Sequence, residues 1–201
     1  PTFRIAETPF FISNELKDKL SDGCNEVIAL IKEDRFKQLT NKALELNTKV
    51  PNEDEHTTFL AIDFGICKNP ESGEIEPQLI ELQAFPTLYA FQEEYEEVIS
   101  EVFPFLKNLR NSLPKEEYIQ YLKEVIVGDE NPENVVLMEI YPEKQKTSID
   151  FALTEKYLGI KTVCLTKVKK QGKKLYYENE GKLIPIHRIY NRVIFDELDH
   201  I

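Results

Sequence analysis

Asp63, Glu81 and Gln83 stand inside two apolar, strand-like stretches, "FLAIDFGICK" and "QLIELQAFP". Side chains alternate along a strand, so Asp63 shares a face with Ala61 and Gly65, and Glu81 shares one with Gln83, opposite Ile80 and Leu82. The intervening "CKNPESGEIEP" carries Pro70 and Ser72-Gly73 as turn signals, which reads as a hairpin with a long loop. A reversal about Ser72-Gly73 puts Asp63 across from Glu81 or Gln83. Two carboxylates held face to face repel unless a proton or cation lies between them. A hard cation such as magnesium is satisfied by one or two carboxylates plus substrate phosphates. The same spacing also fits a solvated sheet face with Asp63 and Glu81 as surface acids. A helix starting at Thr87 would aim free backbone N–H groups at an anion.

A second constellation lies in "IPIHRIYNRVIFDEL", where Arg188, Tyr190 and Arg192 alternate onto one strand face, away from Ile189, Asn191 and Val193. Paired guanidinium groups can hold a carboxylate or phosphate in bidentate fashion, or they can pair internally with some of the many acids. "EKQKTSIDF" follows an apolar strand, the place where βα folds bind ligands, but Lys144, Lys146 and Thr147 also read as simple helix-start residues. The phosphate-loop, dinucleotide and nucleophile-elbow glycine patterns are absent, and no residue is singled out as catalytic.

These residues must be positioned by a chain of 201 residues, long enough for one good-sized domain or a domain with a smaller lobe. Thirty-six acidic against twenty-five basic side chains give a net charge of -11, which argues against nucleic acid and anionic membrane as partners. No apolar run is long enough to span a bilayer and the first thirty residues lack a signal-peptide pattern, so a cytoplasmic location is expected. Cys24, Cys67 and Cys164 are odd in number, far apart and set among apolar neighbours, the pattern of buried reduced thiols. His56, His187 and His200 show no metal-ligand spacing.

Leu16, Leu20, Cys24, Val27 and Ile31 recur at helical spacing behind Ser13 or Asn14 as N-cap, and "FKQLTNKALEL" continues the pattern up to a polar loop. Strands are expected over Thr58 to Ile66 and Gln78 to Phe85. A helix follows from Thr87 with Leu88, Phe91, Tyr95, Val98 and Val102 on one stripe until Pro104 interrupts it. "LPKEEYIQYLKEVIVG" is another helix, with Gly128 as its stop. From Asn134, strand "NVVLMEI", a helix closed by Gly159 and strand "IKTVCLTKV" make a βαβ unit, and two more strand-like runs follow with Gly172 and Gly181 at turns. The fold class is therefore α/β with α+β character. A helix-rich lobe with the hairpin is expected over 1–130 and a small α/β lobe over 131–201.

Two separated stretches resemble the circularly permuted ATP-grasp proteins, which include relatives of glutathionylspermidine synthase. The first comprises "IDFG", "SGEIEPQLIELQ" and "AFPTLYAF"; the second comprises "NVVLMEIYPEKQKTSIDFALTEKYLGIKTVCL" and "GKKLYYENEGKLIPIHRIYNRVIFDEL". They occur in the family's order, cover about half of the chain, and make 131–201 similar to a pre-ATP-grasp lobe. The resemblance implies an ATP-dependent carboxylate–amine ligase. A carboxylate is phosphorylated to an acyl phosphate, an amine displaces the phosphate, and magnesium clamps ATP. It places Asp63, Glu81 and Gln83 at the magnesium positions and Asn191 with Arg192 at a paired-basic element beside Arg188. The chain departs from the family pattern in carrying Ala61 where relatives have Arg, Gln83 where they have Asn, and Asn191 in place of a basic residue. The family also continues into a module bearing nucleotide-binding lysines, so a fragment of a longer protein, inactive alone, is expected. The substrates would be a small-molecule carboxylate and an amine. The alternative from another class is a non-catalytic small-molecule or peptide-binding scaffold domain.

Overall fold

A computed structural model of the chain describes residues 3–43, 50–54, 56–108 and 113–200. It is a mixed α/β protein with three small sheets among the described residues, one of two strands and two of three. Its contacts divide it into two units, Ile5–Phe85 on the one hand and Pro1–Arg4 with Pro86–Ile201 on the other. The division expected at 130/131 is thus displaced to Phe85/Pro86, because the helices that follow the hairpin are bound to the α/β lobe.

In the first unit, helix α1 (Asn14–Ile31) starts at Ser13, whose hydroxyl accepts the Leu16 N–H at 3.1 Å. That satisfies one of the orphan donors of a helix start. A short helix α2 (Asp34–Thr40) and a single turn at Asn41–Ala43 follow. The rest of the helix expected to Leu46 lies outside the described residues. Strands β1 (Ala61–Lys68) and β2 (Ile75–Gln83) form an antiparallel hairpin. Its turn is built by Asn69, whose side chain accepts the N–H groups of Glu71 and Ser72, and by left-handed Gly73. Gly23 of α1 faces Phe64 of β1; a Cβ there would stand 3.2 Å from the ring, so the absent side chain permits close helix–strand packing. Leu16 is the only hydrophobic residue of this unit to reach full burial among those described.

The second unit holds helices α3 (Tyr89–Val102) and α4 (Lys115–Ile126), then the expected βαβ unit of β3 (Val135–Glu139), α5 (Ser148–Leu158) and β4 (Lys161–Cys164). Strands β5 (Lys169–Gln171), β6 (Lys174–Asn179) and β7 (Lys182–Ile186) make an antiparallel meander. Strand β8 (Arg188–Asn191) returns to pair parallel with β3, giving the order β4-β3-β8. The run read as one strand, "KLIPIHRIYNRV", is therefore cut at His187, where the chain passes between sheets and the His187 N–H bonds the Asn134 carbonyl at 2.8 Å.

β3 is buried at every position, as a strand covered on both faces must be. Val136, Met138 and Ile140 pack with Val163, Tyr177 and Val193, against Ile184 and Ile186 of the meander strand β7. Val135 and Leu137 take the other face. α3 is tied to α5 by Tyr157, whose hydroxyl donates to Glu94, and α4 to α3 by the Tyr118 hydroxyl on the Tyr89 carbonyl at 2.9 Å. Burial, and then the Glu94 carboxylate, push the Tyr157 phenol up to about 12. The outward edge of β4 is closed at Thr162, whose N–H is taken by the Glu155 carboxylate at 2.6 Å. Among the described residues no helix is long and apolar enough to cross a membrane.

Gly128 ends α4 with φ 62, and a Cβ on it would lie 2.6 Å from Nη1 of Arg188. Gly172 shares the left-handed backbone (φ 60) but has open space around it. Gly172→Ala should cost about 1 kcal/mol of backbone strain. Gly128→Ala should cost more, since it also displaces Arg188, and urea unfolding of the two variants side by side measures the difference.

Candidate functional site

The hairpin register sets Asp63 directly opposite Glu81 and Ala61 opposite Gln83. In-register residues share a face, so the three oxygen-bearing side chains meet on one patch, as their spacing predicts. Immediately after this pair the register shifts, from Asp63↔Glu81 to Phe64↔Leu79, making Ile80 the extra residue of a β-bulge. Bulges bend a strand and re-aim its side chains, and here the bend adjoins the acidic pair. Asp63 and Glu81 are exposed and neither makes an ion pair among the described residues. Gln83 donates its amide N–H to the Phe85 carbonyl at 3.0 Å, which fixes the amide plane and turns its oxygen away from that carbonyl.

Two carboxylates and an amide oxygen are a hard donor set, suited to a cation that keeps several of its waters. Among the described residues there is no group of three or more His, Cys, Asp or Glu side chains that could hold a metal.

The paired-basic element is used differently. Arg192 is 3% exposed, and its Nη1 donates to the Asp150 carboxylate at 2.9 Å. The guanidinium also reaches Thr147 Oγ1 at 3.5 Å and lies 5.1 Å from the centre of the Phe151 ring. Arg188 donates to the Val125 carbonyl at 2.9 Å, near the end of α4. The Asn191 side chain folds onto Val193, accepting its N–H at 3.3 Å and donating to its carbonyl at 3.4 Å. Tyr190 and Arg192 do share an inward face, with Tyr190 buried. What faces them is an internal acid.

Sequence reasoning misses that acid. Asp150 sits in the first turn of α5, where an acidic residue reads as a complement to the helix dipole. It is fully buried, and its other oxygen accepts the Phe91 N–H at 3.0 Å. α3 begins behind left-handed Leu88 with no side-chain cap of its own, so Asp150 supplies the cap from 59 residues away. The anion expected at this helix start is thus part of the protein. Burial pushes the Asp150 carboxyl up, while the Phe91 N–H and Arg192 favour its charged form.

The carboxyl ends of the parallel strands hold two further groups. Glu139, 5% exposed at the end of β3, accepts its neighbour's Ile140 N–H at 2.7 Å. Burial raises its pKa above the ordinary range, against the pull of that N–H and of Arg192. Cys164, its register partner on β4, is buried. Burial disfavours its thiolate, yet Thr166 at 3.1 Å and the Tyr141 N–H at 3.3 Å outweigh that and lower the thiol. Cys67 is exposed and Cys24 half-buried, so the expectation of buried thiols holds for Cys164 alone. Beside Cys164 opens a cleft of about 650 Å³, lined among others by Glu143, Lys161, Thr162, Lys167 and Glu180. Nothing in the residue types or their spacing marks it, since β4, the segment after it and the β6–β7 turn are joined only by the fold.

No known family model matches the chain, and no curated protein matches it.

Removing one member of a buried ion pair strands the other, at a cost of about 3–5 kcal/mol, whereas removing both is far less damaging. Asp150→Ala and Arg192→Met should each destabilise the protein on that scale, and the double variant by clearly less than the two added. Chemical denaturation of the four proteins reads this directly.

For Glu139, the folded protein holds the proton to higher pH than the unfolded chain does. Its contribution is fully present below the ordinary carboxylate value and is lost as pH rises through the raised one. Glu139→Gln keeps the acceptor for Ile140 and does not titrate. Its stability relative to the parent should therefore improve as pH rises from the ordinary carboxylate range through the raised one, and a difference that stays flat would overturn the raised value of Glu139.

Proposed function

We propose that the Asp63–Glu81 pair is a divalent-cation site and that the chain is part of an ATP-dependent carboxylate–amine ligase-like protein. The observation that carries this is the register: two carboxylates directly opposed across a hairpin, exposed, without a basic partner among the described residues, and flanked by the Gln83 amide. Like charges so placed are destabilising for a sheet. A bound magnesium ion would neutralise the pair and hold nucleotide phosphates there. Asp63 and Glu81 supply the charge, and Gln83, oriented by the Phe85 carbonyl, supplies a neutral oxygen. Amide formation from a small-molecule carboxylate and an amine also needs nucleotide-binding lysines, which the permuted ATP-grasp resemblance assigns to a further module. Reduced thiols fit a cytoplasmic setting.

A second reading, a non-catalytic domain that binds a small molecule or peptide, is favoured by the burial of Arg192 against Asp150. That pairing removes from ligand contact a guanidinium that nucleotide chemistry would use.

Manganese, which replaces magnesium at oxygen sites and broadens nearby NMR signals, separates these readings. Broadening should centre on Asp63 and Glu81 and be lost in Glu81→Gln. That variant should unfold at the same urea concentration as the parent or a slightly higher one, since a like-charge pair is relieved at about 0.2–1 kcal/mol. Diffuse broadening that survives Glu81→Gln overturns the cation site.

A further inference from the structure

We infer that the cleft between β4 and the β6–β7 turn binds a small zwitterion, a free amino acid or short peptide, its carboxylate held by Lys161 and Lys167 and its ammonium by Glu143 and Glu180. The inference gives the second reading above a ligand class and rests on that reading.

The size is that of a small-molecule site, about 650 Å³, within the range of roughly 300–1,000 Å³ usual for such clefts. Its charges decide the ligand. The lining contains Lys161, Lys167 and Lys169 against Glu143, Glu178 and Glu180. Lys169 and Glu178 neutralise each other at 2.6 Å. The remaining two lysines and two glutamates make no ion pair among the described residues. A polyanion would meet Glu143 and Glu180 together with a net charge of -11, and a polycation would meet the two lysines. A ligand with one charge of each sign can satisfy both sets.

Thr162 forms part of the cleft wall. Cys164, whose thiol is held between the Tyr141 N–H and Thr166, lies in the same wall and reports on occupancy.

The test is a titration of the 201-residue chain with glycylglycine, followed by amide chemical shifts, with acetate and methylamine as one-ended controls. Saturable shifts at Thr162, Cys164, Thr166 and Gly181 are expected with the dipeptide, and weaker binding with either control. The pairs K161Q/K167Q and E143Q/E180Q change exposed side chains and should fold normally. Each pair should weaken the dipeptide at least about tenfold. Acetate binding as tightly as the dipeptide overturns the zwitterion and leaves a carboxylate-binding domain standing. Absence of saturable shifts with all three probes overturns both the ligand class and the binding reading. Binding that is unchanged in both double variants overturns this cleft as the site.

Discussion

The ion pair between Asp150 and Arg192 is the point on which the larger unit turns. Both side chains are almost wholly removed from water, where an ion pair is costly unless further contacts support it. Here the Phe91 N–H occupies the second carboxylate oxygen, Thr147 stands at the guanidinium, and the Phe151 ring lies against it. Each partner comes from a different segment: the start of α3, the start of α5 and the residue that follows β8. One buried interaction therefore fixes where a helix begins, how it meets a second helix, and where the last parallel strand ends. It also explains why α3, adjacent in sequence to the hairpin, belongs with the α/β lobe.

That commitment limits what the basic element can do. An arginine whose withdrawal would leave Asp150 charged and dry has no freedom to follow a ligand. Arg188 is held at the end of α4 and Asn191 is turned back on Val193. Two further titratable groups lie at the other carboxyl ends of the sheet. Burial raises Glu139 above the ordinary carboxylate range, whereas the hydrogen bonds around Cys164 outweigh its burial and lower the thiol.

The features legible in the sequence are those decided within a few residues or by one alternation. Ser13 and Gly159 as helix ends, the βαβ unit, and the placing of Asp63 across from the face that carries Glu81 and Gln83 all follow from local turn chemistry or the two-residue period of a strand. The unit boundary was not legible, because the cap that draws α3 into the α/β lobe lies 59 residues away on Asp150. The fate of Arg192 was hidden for a related reason. Alternation says that Tyr190 and Arg192 look the same way, but not that an acid from α5 looks back. The break at His187 has no local signal, because strand-like alternation continues through it and only the change of pairing partner divides β7 from β8.

The chain's charge balance determines which unpaired groups carry information. With eleven more acids than bases, many carboxylates must lack a basic partner, and the exposure of Asp63 or of Glu81 taken singly is expected. It is their register, which forces two such groups together, that demands a counter-charge. Lysines stand in the opposite position. Some lysines find acidic partners, as Lys19, Lys115 and Lys156 do. Lys161 and Lys167 line one cleft with Glu143 and Glu180 and form no ion pair with them among the described residues.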